Sequence, residues 1–434
     1  MGNELFFRHA LLPTGWAENV RLIITGGVIS GVETEGAAQG DVGTIALPGM
    51  PNLHSHSFQR ALAGLTEHRG AGEENFWTWR DLMYRFALQM DPDDVEAVAT
   101  QAFVEMLEGG FSAVAEFHYL HHAPDGTPYG DIAEMASRVG VAAAATGIDL
   151  TLLPVFYAHA GFGGTPPAAA QRRFINGLDS YAKIHERCRQ ISNTGVAPHS
   201  LRAVTPEELS VLSALAGGAP LHIHIAEQTG EVDDCVAWSG LRPIDWLLRH
   251  APVAANWCLV HATHVTVAEC AGITASGAVV GLCPITEANL GDGVFPAQEF
   301  LGKYGIGSDS NVLIGVAEDL RMLEYSQRLA LRQRNVMATE AVRTTAKAMF
   351  QNAVAGGAQA LGMIGGLVVG APANIVTLAG DNPDIALSQF VFATRAPVVK
   401  DVWVRGRQCV RDGRHELAER SRMRFDTVVK KLLA

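Results

Sequence analysis

Two imidazoles one residue apart pose the first chemical question. In LPGMPNLHSHSFQRALAG, residues 47–64, an apolar run ends in Pro-Gly, and His54 and His56 follow. Strand side chains at i and i+2 share a face, so this pair can grip one ion. Similar residues recur at the ends of later apolar runs. PLHIHIAE (220–227) offers His224 with Glu227 three residues on, WCLVHATH (257–264) offers His261, and YGIGSDS (304–310) offers Asp309. Three neutral imidazoles and one carboxylate suit zinc or a similar divalent ion. A lone HxH is usually a turn pair, but the same chemistry repeated at four strand ends is a metal-site pattern. His222, two residues deeper in its run, is assigned a structural place.

The elements that must position these residues alternate along the middle of the chain. Short apolar runs at SAVAEF (112–117), DLTLLPVFY (149–157), TGVAPHS (194–200) and AVVGLCP (278–284) join the four above. Helical runs such as DPDDVEAVATQAFVEMLEGG, opened by an Asp cap and closed by Gly-Gly, separate them. Eight strands alternating with helices read as an α/β chain with a (β/α)8 TIM-type barrel, whose strand C-termini form the catalytic face. Both ends of the chain are β-rich. The expected division is a small β-sandwich domain from 1–46 and 367–415, a barrel over 47–366, and a C-terminal helix over 416–434.

Composition sets the outer limits. The chain has 434 residues, 48% hydrophobic and 18% charged, with a net charge of −12. No Lys/Arg block supplies a phosphate-binding footprint, so a nucleic-acid partner is not expected. No apolar run reaches membrane-spanning length, and no secretory leader is expected from MGNELFFRHALLPTGW. The six cysteines have no CxxC spacing and read as reduced thiols of a cytoplasmic protein.

The HxH, HxxE, His and Asp at these strand ends, with the two-ended β domain, resemble the amidohydrolase superfamily over nearly the whole chain. The fourth run, TGVAPHSL, carries no lysine to bridge two metals, which places the resemblance in the mononuclear deaminase branch. That resemblance implies one metal per chain held by His54, His56, His224 and Asp309. It implies zinc, with iron or another divalent ion as alternatives. A bound metal acidifies water. His261 is then the base that takes the water proton, Asp309 bonds the same water, and Glu227 carries a proton to the leaving nitrogen.

The substrate is read from other residues. Gln59 follows HxH, Arg80 lies in a Trp-rich loop NFWTWRDLMYRF, Tyr119 in EFHYLHH, and His199 and Arg202 in APHSLRAV. Arginine forks bind carboxylates with paired hydrogen bonds. Two arginines, a glutamine and a tyrosine point to a small dicarboxylate. These strings, with PGMPNLHSHSFQRALAGLTE, closely resemble the N-formimino-L-glutamate deiminases of histidine degradation. That resemblance implies hydrolysis of a C=N bond with release of ammonia, substrate contact by His199, and a homodimer. Guanine, S-adenosylhomocysteine and methylthioadenosine deaminases are the alternatives, since their metal sites would look the same. A barrel without catalysis, or a hydrolase of amides or lactams, fits these residues less well.

Overall fold

The computed structural model describes residues 3–34, 42–68, 76–394 and 399–434. Its strands, in chain order, are β1 (Asn3–Leu12), β2 (Gly15–Thr25), β3 (Val28–Glu33), β4 (Val42–Pro48), β5 (Met50–Ser55), β6 (Phe111–His118), β7 (Asp149–Phe156), β8 (Asn193–Thr194) and β9 (Ala197–Pro198). They continue as β10 (Leu221–Ile225), β11 (Trp257–His261), β12 (Val279–Leu282), β13 (Lys303–Ile306), β14 (Ile375–Leu378), β15 (Val399–Val404), β16 (Arg407–Arg411) and β17 (Arg414–His415).

The chain is an α/β protein with parallel sheets. One sheet runs β5-β6-β7-β8 with β9 also on β7, and the other runs β10-β11-β12-β13. Strands such as β6 (FSAVAEFH) are buried along their whole length, as parallel strands covered by helices on both faces must be. The two sheets meet edge to edge through backbone hydrogen bonds. At one seam His222 N–H donates to Val196 O (3.0 Å) and His224 N–H to His199 O (3.1 Å). At the other, Asp309 N–H donates to His54 O and His56 N–H to Asp309 O, both at 2.9 Å.

The fourth run, read as one strand over 194–200, is split into β8 and β9. Gly195 lies between them, where a side chain would collide with the Pro220 carbonyl. The strands from the two ends of the chain pair in one series, β17-β16-β15-β14-β4-β1-β2-β3. They enclose a core of their own, including Phe7, Val20, Leu22, Ile24 and Ile375. The series is continuous in its pairing rather than split into two separately paired layers.

Helix starts follow local chemistry. The helix α1 spans Phe76–Ala87 and α2 spans Pro92–Glu108. Asp91 caps α2 by accepting from Asp94 N–H (2.9 Å), while the Asp94 carboxylate accepts from Asp91 N–H (3.0 Å). Such reciprocal caps satisfy donors that have no partner inside the helix. The Trp-rich string read as a loop is a helix from residue 76 on; Asn75 lies outside the described residues. The reason is spacing. Met83, Tyr84 and Ala87 are buried and Trp79 packs against the same core, the i, i+4, i+8 pattern of one helical face. The last helix, Ala418–Leu433, buries Phe425, Val428 and Leu432 at the same kind of spacing. No described helix is long and apolar enough to cross a membrane.

Helix Thr345–Ala360 crosses β13 so closely that a Cβ on Gly356 would collide with the Tyr304 carbonyl. Gly356→Ala must push the helix off the strand, at a cost of about 1–3 kcal/mol. A lowered midpoint in thermal unfolding is the expected outcome, relative to a control such as Gly230→Ala, where a Cβ meets open space.

Candidate active site

His54 ends its run on β5, His56 follows, His224 sits on β10, and Asp309 lies just past β13. The fold brings these four together, with one ligand atom from each lying within 4.8 Å of the others. Nε2 of His54 is 3.2 Å from Nε2 of His56 and 3.0 Å from Nε2 of His224. Asp309 Oδ1 is 3.5 Å from His54 Nε2 and 3.3 Å from His56 Nε2.

Hydrogen bonding at the far side of the rings decides what these nitrogens present. His56 Nδ1 faces Phe117 O and His224 Nδ1 faces His199 O, each at 2.9 Å. A carbonyl only accepts, so both Nδ1 atoms carry hydrogen and both Nε2 atoms turn a lone pair inward. Burial, then neighbouring imidazoles, hold His54 and His224 well below the ordinary histidine pKa, which keeps them neutral. Two inward lone pairs, the Nε2 of His54 and a carboxylate oxygen converge at this range, the arrangement a cation needs. The donor set therefore fits a divalent metal.

The turn carrying Asp309 is strained and then locked. Asp309 has φ +46° and Asn311 φ +57°, a region costly for residues with side chains. Asn311 Nδ2 donates to Asp309 O (2.9 Å), to His56 O (3.0 Å) and to Ser55 Oγ (3.2 Å). Asn52 Nδ2 donates to Ser308 Oγ, which donates to Asn311 Oδ1, both at 2.7 Å. This network ties the Asp309 turn to β5.

A buried cluster of titratable groups adjoins the four. His261, with φ +67°, turns its ring between carboxylates. Its Nδ1 is 3.3 Å from Glu287 Oε1, and its Nε2 is 3.8 Å from Glu227 Oε1 and 3.7 Å from Asp309 Oδ2. Burial opposes charge on His261, but Glu227, Glu287 and Asp309 outweigh it and raise the pKa to about 10. Burial raises Glu227 to about 7, with Asp309 adding and His261 opposing. Nothing in the sequence marks Glu287 or the buried Asp292 beside it. Both follow the seventh strand of the parallel set, Glu287 in the first turn of the helix Pro284–Leu290 and Asp292 just past its end, and no spacing distinguishes them from ordinary helix-end carboxylates.

Above these groups opens a pocket of about 610 Å3, lined by Gln59, Arg80, Tyr119, His199 and Arg202 together with His56, His224, Glu227, His261 and Asp309. His54 is fully buried beneath it. Both arginines act electrostatically on His199 and on Tyr157. The Arg80 guanidinium lies over the Tyr84 ring, 5.5 Å from its centroid. Gln59 Nε2 donates to the Tyr119 hydroxyl (2.7 Å), while its Oε1 is buried with no hydrogen-bond partner. Gln59 lines the pocket with that oxygen unpaired. His222 faces away, with Nε2 2.8 Å from Ala360 O.

Comparison with known proteins follows the same line. The profile described as the amidohydrolase family matches residues 45–409. The chain belongs to the amidohydrolase family. A second profile, "Formimidoylglutamate deiminase HutF, N-terminal domain", matches residues 5–42 of this amidohydrolase. The formimidoylglutamate deiminase of Pseudomonas aeruginosa is 50% identical over 99% of this chain and 100% of its own. The crystal structure of an amidohydrolase from Brucella melitensis superposes with a TM-score of 0.97 at 51% identity, covering 100% of each chain. An adenosine deaminase from Xanthomonas campestris with bound zinc shares the fold, at a TM-score of 0.77 and 22% identity over 98% of each chain.

Two substitutions separate holding a metal from moving protons in this amidohydrolase. Asp309→Asn is expected to lower the metal content per chain, read by plasma mass spectrometry. His261→Gln is expected to keep the metal content of the parent and to lower turnover by about 100-fold or more, the usual scale for a positioned acid or base. Normal metal in the first variant, or lost metal in the second, reverses the two assignments.

Proposed function

We propose that this amidohydrolase hydrolyses N-formimino-L-glutamate to N-formyl-L-glutamate and ammonia, a step of histidine degradation. One observation carries the substrate assignment: Arg80 and Arg202 line the same pocket as His56, His224, Glu227 and Asp309. A dicarboxylate tail needs that pair, since each guanidinium matches a carboxylate fork. A purine deaminase would need groups that read ring edges and has less use for two arginines.

In this reading His54, His56, His224 and Asp309 hold one divalent ion, which we take to be zinc, with iron or another divalent ion as the competing occupant. Bound there, the ion supplies Lewis acidity that makes water a nucleophile near neutral pH. With the ion's positive charge offsetting Asp309 and lowering the proton affinity of His261, His261 accepts the proton that the attacking water gives up, and the carboxylates of Glu227 and Glu287 stabilise its positive charge. Glu227 delivers a proton to the departing nitrogen as the C–N bond breaks. Asp309 and His261 orient the water, and Gln59 Oε1 accepts from a formimino N–H. Arg80 and Arg202 hold the carboxylates, with Tyr119 and His199 packing beside them.

The same reading joins the two parallel sheets into a single (β/α)8 barrel over 47–366. The terminal strands of 1–46 and 367–415 fold as a small sandwich, and 416–434 forms a separate C-terminal helix. A cytoplasmic homodimer completes it. The six cysteines, all buried and unbridged, suit a reducing compartment.

Ammonia release from N-formimino-L-glutamate by the zinc-loaded protein, with guanine and S-adenosylhomocysteine run beside it, tests the assignment. Release from the formimino substrate alone is the expected outcome, and release from a purine overturns the reading of the arginines. Arg202→Met is expected to lower kcat/KM for the dicarboxylate by about tenfold or more, the scale of a lost charged hydrogen bond. Most of that loss falls on KM. Unchanged kinetics would remove Arg202 from the clamp.

A further inference from the structure

Tyr84 on α1 and Tyr157, one residue past β7, line the pocket beside both arginines. No motif in the sequence marks either. Gln171, at the end of the short turn Ala169–Gln171, reaches both hydroxyls. Its Nε2 lies 2.7 Å from the Tyr157 hydroxyl and 3.4 Å from the Tyr84 hydroxyl. The amide is fixed in this sense, because its Oε1 accepts from Ala168 N–H at 2.7 Å. The two hydroxyls also lie close enough to influence each other.

The hydrogens in this triad can be counted. The amide nitrogen brings two and each hydroxyl brings one, four in all. Three groups in mutual contact can use at most three. The amide gives one to each tyrosine, and at most one tyrosine can give its hydrogen to the other. At least one hydroxyl hydrogen therefore has no acceptor inside the triad. All three side chains are buried, and both tyrosines line the pocket. That hydrogen therefore points at whatever the arginines hold.

We propose that Tyr84, Tyr157 and Gln171 form a third arm of the anion clamp and give one hydroxyl hydrogen bond to a carboxylate of the bound substrate. This rests on the dicarboxylate reading above and adds the basis of selectivity. Guanidinium groups and an outward hydroxyl hydrogen are all donors. A carboxylate satisfies them, whereas a carboxamide or amine in the same place brings N–H groups with nothing to accept them. A site built this way rejects the wrong polar group more strongly than an apolar pocket rejects a wrong size. Gln171 sets the direction, since an acceptor in its place would draw both hydroxyl hydrogens inward.

The test compares three substrates: N-formimino-L-glutamate and two analogues that each lack one carboxylate, N-formimino-4-aminobutyrate and N-formimino-2-aminobutyrate. Removing one hydroxyl lets the other take over, so the main variant is Tyr84→Phe with Tyr157→Phe, which keeps both rings. It is expected to lose tenfold or more in kcat/KM on the dicarboxylate, chiefly through KM. Against the analogue lacking the served carboxylate it should lose nothing. Gln171→Glu, which keeps an acceptor for Ala168 N–H, is expected to show the same pattern and covers the case in which the double variant fails to fold. Equal losses on all three substrates, or no loss on the dicarboxylate, overturn the third arm. A parent protein active on N-formimino-L-glutamate beside unaffected variants sinks this inference alone. A parent protein inactive on it sinks the dicarboxylate reading and this inference with it.

Discussion

Two imidazole lone pairs aimed at one buried point, beside the His54 ring and the Asp309 carboxylate, are the constraint on which the rest of the structure depends. His56 and His224 are oriented by backbone carbonyls on their far nitrogens, and those carbonyls belong to Phe117 on the neighbouring strand and to His199 just past β9. The two inward lone pairs and the carboxylate repel one another unless a cation sits among them. The parallel sheets supply the rigidity to hold that arrangement, because each ligand leaves a strand buried on every side. The strain at Asp309 and His261 falls where such a site must be over-determined. Asn311, bonded to both Asp309 O and His56 O, opposes it by fastening the last ligand's turn to the first ligand's strand.

How much of this was legible from sequence depended on whether chemistry and spacing coincided. His54, His56, His224 and Asp309 stood out because each is a metal-ligating type at the end of an apolar run, and parallel strands bring such ends to one face. Arg80 and Arg202 were found by residue type alone, from their charge near strand ends in an acidic chain. Glu287 and Asp292 were missed because carboxylates at helix ends are commonplace, and only the fold turns them toward His261 and Glu227. Gln59 was found by its place directly after the HxH pair. Residue type does not say which end of an amide is already taken, and Tyr119 takes the nitrogen.

The fold was read most securely where burial made the pattern continuous, and least where a single close contact decided it. Eight apolar runs were visible as strands, yet the break in the fourth depends on Gly195 meeting Pro220, a contact distant in sequence. The helix α1 was taken for a loop because its tryptophans and charges hid the spacing of Trp79, Met83 and Ala87. Helix Pro383–Phe392, capped by Asn382, lies between strands of the terminal sheet and passed unread for a similar reason. Its hydrophobic residues are too numerous to define one face. Element type followed from pattern, while placement depended on contacts between distant segments.

The pocket has two poles, and their separation orients the substrate before any bond is made. Glu227, Asp292 and His261 group at one side, with Glu287 on the far face of the His261 ring. Arg80 and Arg202 lie toward Tyr84, Tyr157 and His199 at the other. Burial works against the charge of Arg202, but Glu231 and Tyr157 more than compensate, so the cation is held ready. A formimino amidine is cationic near neutral pH and a glutamate tail is anionic. Reversing the substrate would place carboxylates against carboxylates and an amidinium against guanidiniums, each a like-charge contact in a buried site. On the proposed reading, the charges that hold the tail also set the C=N carbon beside the groups that move protons. Binding and catalysis would then draw on one electrostatic arrangement, and the arginines would belong to the description of the reaction as much as the histidines do.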